Sequence, residues 1–256
     1  MIYKTLSGKK AFLLIVIFAL ALTLTLWALS ALGMDVTRIV SAPRRVPIYS
    51  VETSRSAVSL GINCAWEDDD IPEILAALEK YGVKATFFVV GEWCGRCPES
   101  LAAICEAGHE IGSHSDTHPD MSRLDEAEIR AELDGCAEKI AAVTGSRPVL
   151  FRPPSGAYGN LLIDTAESMG YFVIQWSLDS IDWKGLSAGE IYDRTVPKAE
   201  SGDILLLHSG AEHTAEALPG VLEGLISRGF EIVPVSELIY HEDYTIDHAG
   251  RQRQAG

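Results

Sequence analysis

The fold predicted for this chain depends most on one stretch of sequence, Ala85-Thr86-Phe87-Phe88-Val89-Val90. It is a short, continuous apolar run, which is typical of a strand buried on both faces in a parallel sheet. An amphipathic helix is predicted before it at residues 71–81. A second helix, at residues 98–107, is followed by a strand at residues 109–111. This order indicates an α/β fold in which crossover helices connect parallel strands.

The same alternation continues on both sides of that stretch. Strands are predicted at residues 57–63, 148–151, 171–176, 203–207 and 230–233, and helices at residues 125–143, 160–169, 188–198 and 213–228. About seven such units suggest a closed or nearly closed barrel. Chemistry in parallel α/β folds gathers at the carboxyl ends of strands. We therefore expect these polar residues to converge on one rim: Asn63, Cys64, His114, His118, Arg152, Asp179, Asp182 and His208.

Two of these residues stand close together, in the segment Gly112-Ser113-His114-Ser115-Asp116-Thr117-His118-Pro119. Two imidazoles four residues apart can lie on one face of a helical turn and bind one divalent metal ion. Such a spacing also arises by chance, and both side chains are then ordinary polar loop residues. Convergence with the other polar residues on one rim favours the metal site.

Composition limits the kinds of partner. The chain has 256 residues, 47% of them hydrophobic, and a formal net charge of −15. This length is sufficient for one sizeable core plus a terminal anchor. The acidic charge argues against nucleic acid or an anionic membrane surface as a partner, because both require a basic face.

The N-terminal region predicts a membrane anchor. Basic residues in segment 1–10 precede an uncharged run at residues 11–34, long enough to span a bilayer core of roughly 30 Å. We expect a cytoplasmic N-terminus, a single-pass helix in the cell membrane, and an extracytoplasmic remainder. A cleaved signal peptide at Ala28-Leu29-Ser30 is the alternative and predicts a secreted protein. Residues 35–55 are predicted to be a linker, residues 56–241 the folded domain and residues 242–256 a polar tail.

Five cysteines are an odd number, so at least one lies outside any intramolecular disulfide. Cys105 and Cys136 fall on apolar helical stripes and are interpreted as core residues. Cys94 and Cys97 form a Cys-x-x-Cys loop. This loop either closes as a local disulfide or caps the helix that follows.

Four ordered motifs resemble those of one enzyme family. They are His114-Ser115-Asp116-Thr117-His118, Arg152-Pro153-Pro154-Ser155-Gly156, Asp179-Ser180-Ile181-Asp182-Trp183 and Leu206-Leu207-His208. Together with the stretch at residues 81–88, they resemble the NodB-type polysaccharide deacetylases of carbohydrate esterase family four. The resemblance implies a distorted (β/α)7 barrel that removes acetyl groups from N-acetylated sugars. Cys64-Ala65-Trp66 and Trp183-Lys184-Gly185 look most like the membrane-anchored sporulation deacetylases.

The resemblance also implies roles for individual residues. His208 resembles the general acid, Arg152 the partner of the general base, and Asp182, with Asp179 as the alternative, the carboxylate that orients the acid. His114 and His118 resemble two ligands of one divalent ion, here Zn²⁺. The family pattern places the substrate pocket at Pro154, Tyr158, Trp183 and Leu206. Simpler interpretations stay open: His208 can merely end an apolar strand, Trp183 can be core packing, and both aspartates can be turn residues.

The first family motif, Thr-Phe-Asp-Asp-Gly, falls on Gly61-Ile62-Asn63-Cys64-Ala65. Asn63 therefore occupies the position of the general base, and an amide cannot take a proton at neutral pH. Cys64 occupies the position of the metal-binding carboxylate. As a thiolate it is the predicted third ligand, and the alternative is a small buried hydrophobic residue. Acidic residues at 67–70 are a further source of a carboxylate, or simply a solvated turn.

Two functions follow from these residues. The first is a metal-dependent hydrolase that removes N-acetyl groups from peptidoglycan or a chitin-like polymer of the cell wall or spore. In this case metal-bound hydroxide attacks directly, or His208 serves both proton transfers. The second is a catalytically impaired, deacetylase-like protein that binds such a glycan, because Asn63 replaces the base.

Overall fold

The computed structural model describes residues 8–31 and 43–255. The chain divides into two compact units between Arg44 and Arg45. The described part of the first unit contains helix α1 (Gly8–Ala31). Among the described residues, no helix has both the length and the apolar character needed to cross a membrane.

The prediction of a single-pass anchor at residues 11–34 is therefore wrong. Lys9 and Lys10 lie inside α1, so the described helix carries two charges in its first turn. The predicted localisation in the cell membrane depended on this anchor and is therefore wrong as well. The end of this segment and part of the predicted linker, residues 32–42, lie outside the described residues.

The second unit, which begins at Arg45, alternates strands and helices. Its strands are β1 (Ser50–Val51), β2 (Ala57–Cys64), β3 (Thr86–Val89), β4 (Glu110–Ser113), β5 (Leu150–Phe151), β6 (Phe172–Val173), β7 (Leu178–Asp179), β8 (Ile204–His208), β9 (Glu231–Ile232), β10 (Tyr244–Ile246) and β11 (Arg251–Gln254). Its helices are α2 (Ile71–Tyr81), α3 (Gly91–Arg96), α4 (Pro98–Glu106), α5 (Glu126–Thr144), α6 (Asn160–Ser168), α7 (Ala188–Thr195), α8 (Thr214–Ser227) and α9 (Val235–Leu238).

One curled parallel sheet organises this unit. Its strand order is β6-β5-β4-β3-β2-β8-β7, and β9 pairs with the start of β2. All of its ladders are parallel. The order matches the predicted crossover connections, and the partial barrel confirms the expected distorted (β/α)7 fold.

The side chains of the central strand β2 alternate between the two faces of the sheet. All of its residues are buried, and Leu60, Ile62 and Cys64 belong to the apolar cluster that includes residues of α2, α4 and α8. Because successive side chains on a strand point to opposite faces, Asn63 points to the other side, toward Arg152. Gly61 shares that side, and a Cβ there would lie 2.3 Å from Arg152 Nη2.

All five cysteines are free thiols, so the Cys-x-x-Cys loop does not form the disulfide that was one of its two predicted alternatives; Cys97 stands at the N-cap position of α4. Two features were not predicted. The first is the short helix α3, which covers most of the Cys-x-x-Cys loop. A second sheet, in the order β1-β11-β10, combines the end of the predicted linker with the predicted polar tail. Its strands are short and form because distant segments pair, which no local sequence pattern indicates.

Candidate active site

A buried arginine lies at the centre of the rim. Arg152 Nη1 donates to Asn63 Oδ1 at 2.9 Å and to the Gly61 carbonyl at 3.2 Å, and Nη2 donates to the Gln175 carbonyl at 3.3 Å. The guanidinium lies 4.0 Å from the centre of the Phe88 ring. All three oxygens that accept these hydrogen bonds are neutral.

This environment disfavours the positive charge of the arginine. Burial lowers the pKa of Arg152 to about 9, while the charge of Asp179 acts in the opposite direction. A fully buried cation is stable only when an anion or several hydrogen bonds compensate its lost hydration. A carboxylate at position 63 would provide that anion with almost no change in shape. The surroundings of Asn63 are therefore suited to an aspartate.

A histidine–aspartate pair is assembled at the end of β8. His208 Nδ1 lies 2.7 Å from Asp182 Oδ1, and the His208 backbone N–H donates to Asp182 Oδ2 at 2.7 Å. Thr214 Oγ1 donates to Oδ2 at 2.7 Å, and the Trp183 backbone N–H donates to Oδ1 at 2.9 Å. The carboxylate is thus saturated with donors and fixed in position.

These donors keep Asp182 ionised. Burial alone would raise its pKa, but the hydrogen bonds and charge of His208, with the Thr214 hydroxyl, outweigh burial and lower the pKa below its usual range. An ionised carboxylate at Nδ1 selects the tautomer with its proton on that atom. His208 Nε2 is then left to exchange a proton with a ligand. Asp182, rather than Asp179, makes this contact, since Asp179 Oδ1 accepts from the Ile181 N–H.

His114 and His118 lie side by side after β4. Their ring centroids are 5.0 Å apart, and His114 Nδ1 lies 2.6 Å from the Arg152 carbonyl oxygen. Because a carbonyl only accepts, Nδ1 carries the proton and the lone pair of Nε2 is free. The pair does not share a helical turn: Ser115 and His118 have φ angles of 68° and 60°, and the His118 N–H donates to Ser115 Oγ.

Burial in this site favours the neutral form of both imidazoles. Burial lowers the pKa of His114 well below its usual value, and the neighbouring His118 adds to the effect. Burial also lowers the pKa of His118. Neutral imidazole is the form that binds metal ions.

Helix α5 holds this histidine loop in its strained conformation. Glu132 accepts hydrogen bonds from the Asp116 N–H, the Thr117 N–H and the Thr117 hydroxyl at 2.7–2.9 Å. Lys139 Nζ donates to Asp116 Oδ1 at 2.6 Å. Asp116 also packs so closely on Gly91 that a Cβ there would lie 1.9 Å from its Oδ1. Residues that sequence reasoning did not identify therefore fix the geometry of the two histidines.

Replacing Glu132 with alanine is expected to lower the free energy of unfolding by about 1–3 kcal/mol, because two backbone N–H groups and a hydroxyl lose their acceptor. Urea unfolding of the full-length chain measures the change. Glu138→Ala, at an exposed position of the same helix, is the matched control and should shift the value by less than about 0.5 kcal/mol. Equal changes in the two variants would show that Glu132 does not support the loop.

Among the described residues, two of the three predicted metal ligands, His114 and His118, lie side by side. Cys64 lies in the apolar cluster on the helix side of β2, and burial raises the pKa of its thiol to about 12. Among the described residues, no group of three His, Cys, Asp or Glu side chains is arranged to hold a metal ion. A catalytic zinc site normally uses three protein ligands. The donors present thus do not complete such a site, and Cys64 as a ligand stays a prediction without a supporting contact.

The predicted pocket residues occupy different environments. Pro154 is buried and begins a short 3₁₀ turn, Leu206 is buried on β8 beside Gly61, and Tyr158 lies against Tyr49 with ring centroids 6.5 Å apart. Trp183 is 51% exposed, so the core-packing interpretation does not describe it. Its place beside the His208–Asp182 pair agrees with a surface that contacts a ligand.

One aromatic contact was missed from the sequence. The indole of Trp66 stacks on the imidazole of His208, with ring centroids 5.3 Å apart and an interplanar angle of 27°. Its position directly after Asn63-Cys64-Ala65 was the only available signal. Thr214, a second contact of Asp182, gave no such signal because it begins an ordinary helix.

Comparisons with known proteins agree with this fold. The family model described as polysaccharide deacetylase matches residues 50–174. The peptidoglycan-N-acetylmuramic acid deacetylase PdaA of Bacillus subtilis is 30% identical, and the match covers 76% of this chain and 76% of PdaA. The crystal structure of wild-type BA3943 from Bacillus anthracis, described as a CE4 family pseudoenzyme, is 35% identical with a TM-score of 0.73, covering 75% of this chain and 68% of that one.

A further relative is longer than the matched region. The uncharacterized protein YlxY of Bacillus subtilis is 34% identical over 75% of this chain, and the match spans 60% of YlxY. The matched region of this chain therefore spans less than two thirds of the length of YlxY.

Proposed function

Because the chain belongs to the polysaccharide deacetylase family, we propose that it is a hydrolase that removes N-acetyl groups from a cell-wall glycan of the peptidoglycan type. The name of PdaA supports this class of substrate. The observation that carries the proposal is the Asp182–His208 pair, in which the carboxylate binds Nδ1 at 2.7 Å and Nε2 is left for the substrate.

His208 performs both proton transfers in this proposal. As the oxygen of water bonds to the acetamide carbonyl carbon, one of its O–H bonds breaks and the proton moves to His208 Nε2. Asp182 stays ionised and stabilises the imidazolium. When the C–N bond then breaks, the same proton moves from Nε2 to the leaving nitrogen. The products are the amine of the sugar and acetic acid, which passes its remaining proton to the amine or to water and leaves as acetate.

The proposal includes a divalent ion, Zn²⁺, to which His114 and His118 would be ligands. Deacetylases of this family are generally metal-dependent, and neutral imidazoles suit zinc. Such an ion, when bound, polarises carbonyl groups and acidifies water. With two protein ligands we expect weaker binding than at a complete three-ligand site.

One observation favours a second candidate function. Asn63, at the position of the general base, accepts a hydrogen bond from Arg152. Loss of a general base typically lowers the rate about 10²–10⁴-fold. A protein with this substitution can retain the other residues of the site and act by binding a glycan without hydrolysing it.

Acetate release from an N-acetylated chito-oligosaccharide by the full-length chain separates the two candidates. The enzyme proposal predicts slow release that falls by at least about 100-fold in His208→Ala, because both proton transfers are lost. His241→Ala, at an exposed histidine bonded to the Ser236 carbonyl, is the matched control and should keep the wild-type rate. Oligosaccharide binding without any acetate release from wild type would reject the enzyme and support the binding protein.

A further inference from the structure

Trp66 has no part in the proton transfers above, yet it touches the histidine on which they depend. Its indole stacks on His208 at 5.3 Å and remains 44% exposed. We propose that the exposed surface of Trp66 is a stacking surface for one pyranose ring of an N-acetylated glycan bound across the site. This inference rests on the proposed function, because it names how that substrate is held.

The distribution of exposed apolar side chains supports this role. In the described part of the second unit, the exposed large hydrophobic residues are Trp66, Val143, Val149, Leu161, Trp183 and Ile226. The two tryptophans are the aromatic members of this set, and both contact the catalytic pair. Trp66 stacks on His208, while the Trp183 N–H donates to Asp182. Isolated exposed aliphatic residues are ordinary, whereas two exposed indoles at one site are typical of a binding surface.

The loop that carries Trp66 is held on two sides. Arg96 Nη2 donates to the Ala65 carbonyl at 3.1 Å and to the Trp66 carbonyl at 3.2 Å. On the other side, the Gly210 N–H donates to Asp70 Oδ2 at 2.9 Å. A Cβ at Gly210 would lie 3.3 Å from Trp66 Cβ, so the two segments are in close contact. Because the indole is already ordered, a ligand that stacks on it loses little additional conformational entropy.

The chemistry around the indole selects a neutral sugar. The π face of an indole is negative and attracts the weakly positive C–H groups of a pyranose face. Nucleobases also stack on indoles, but they carry phosphates. The acidic segment at residues 67–70 and the net charge of −15 repel such anions. An uncharged N-acetylhexosamine oligomer meets both conditions.

Titration calorimetry of the full-length chain with N-acetylglucosamine tetramer tests the proposal. Trp66→Ala should raise the Kd at least about tenfold, as expected for an aromatic anchor. Trp66→Phe, which keeps a π face, should recover most of the affinity. Trp66→Leu, which keeps apolar bulk against His208 without a π face, should bind as weakly as the alanine variant. Ile226→Ala, at an exposed position of α8, should leave the Kd within about twofold of wild type.

Three outcomes would overturn the inference. A Kd unchanged in both Trp66→Ala and Trp66→Leu, in a chain that binds the tetramer and releases acetate, would reject the stacking role and leave the proposed function intact. Absence of tetramer binding by wild type, together with absence of acetate release, would reject both. Full affinity in Trp66→Leu alone would show that the side chain acts by packing on His208, and this also contradicts the stacking role.

Discussion

An Asp182→Asn substitution is expected to lower the rate of acetate release by about 10²–10⁴-fold. Asp182 accepts hydrogen bonds from His208 Nδ1, the His208 N–H, Thr214 and the Trp183 N–H. An amide presents N–H groups to some of these donors and carries no charge to stabilise the imidazolium. The rate is measured in the Asn63→Asp background, where the starting activity is highest.

Asp134→Asn in the same background is the matched control. Asp134 is an exposed carboxylate paired with Arg147, so its loss should leave the rate within about twofold of its parent. An Asp182→Asn variant that remains folded and hydrolyses substrate at the parental rate would contradict the proposed role of the pair.

The central part of the fold was predictable because its strands and helices are strongly patterned. The helix at Ile71–Tyr81 forms at its predicted bounds, with Pro72 in its first turn and Gly82 in the left-handed conformation after its end. The sheet follows from continuous buried runs such as β3. By contrast, α3 has six residues, too few to display a helical period. The prediction of a membrane anchor was wrong because the long uncharged run did not produce, among the described residues, a helix able to span a membrane.

The sequence predicted which residues lie near one another at the rim better than it predicted the orientations of their side chains. His114, Arg152 and His208 were expected at one rim because polar residues at the carboxyl ends of parallel strands meet at one edge of the sheet. Neighbouring strand residues point to opposite faces, so Asn63 meets Arg152 while Cys64 joins the apolar cluster. The expectation that both side chains face the rim did not take this alternation into account. The support from Glu132 depends on a helix packing against a distant loop, which a linear pattern does not encode.

The substitution Asn63→Asp is expected to raise the rate of acetate release at least about tenfold, since a general base typically contributes about 10²–10⁴-fold. Asn63 Oδ1 already lies 2.9 Å from Arg152 Nη1, so an aspartate of the same shape enters a prepared site. The buried guanidinium keeps that carboxylate ionised. One oxygen then pairs with Arg152, and the other is free to take a proton from water.

The central claim is that a missing proton acceptor at position 63 is the main deficiency of the site. The most direct test is the ratio of the initial rate of acetate release by Asn63→Asp to that of wild type. Asn160→Asp changes the only other asparagine of the chain, at the start of α6, and should give a ratio near one. The account predicts a ratio of at least about ten for Asn63→Asp. A ratio near one from a correctly folded Asn63→Asp variant would contradict it.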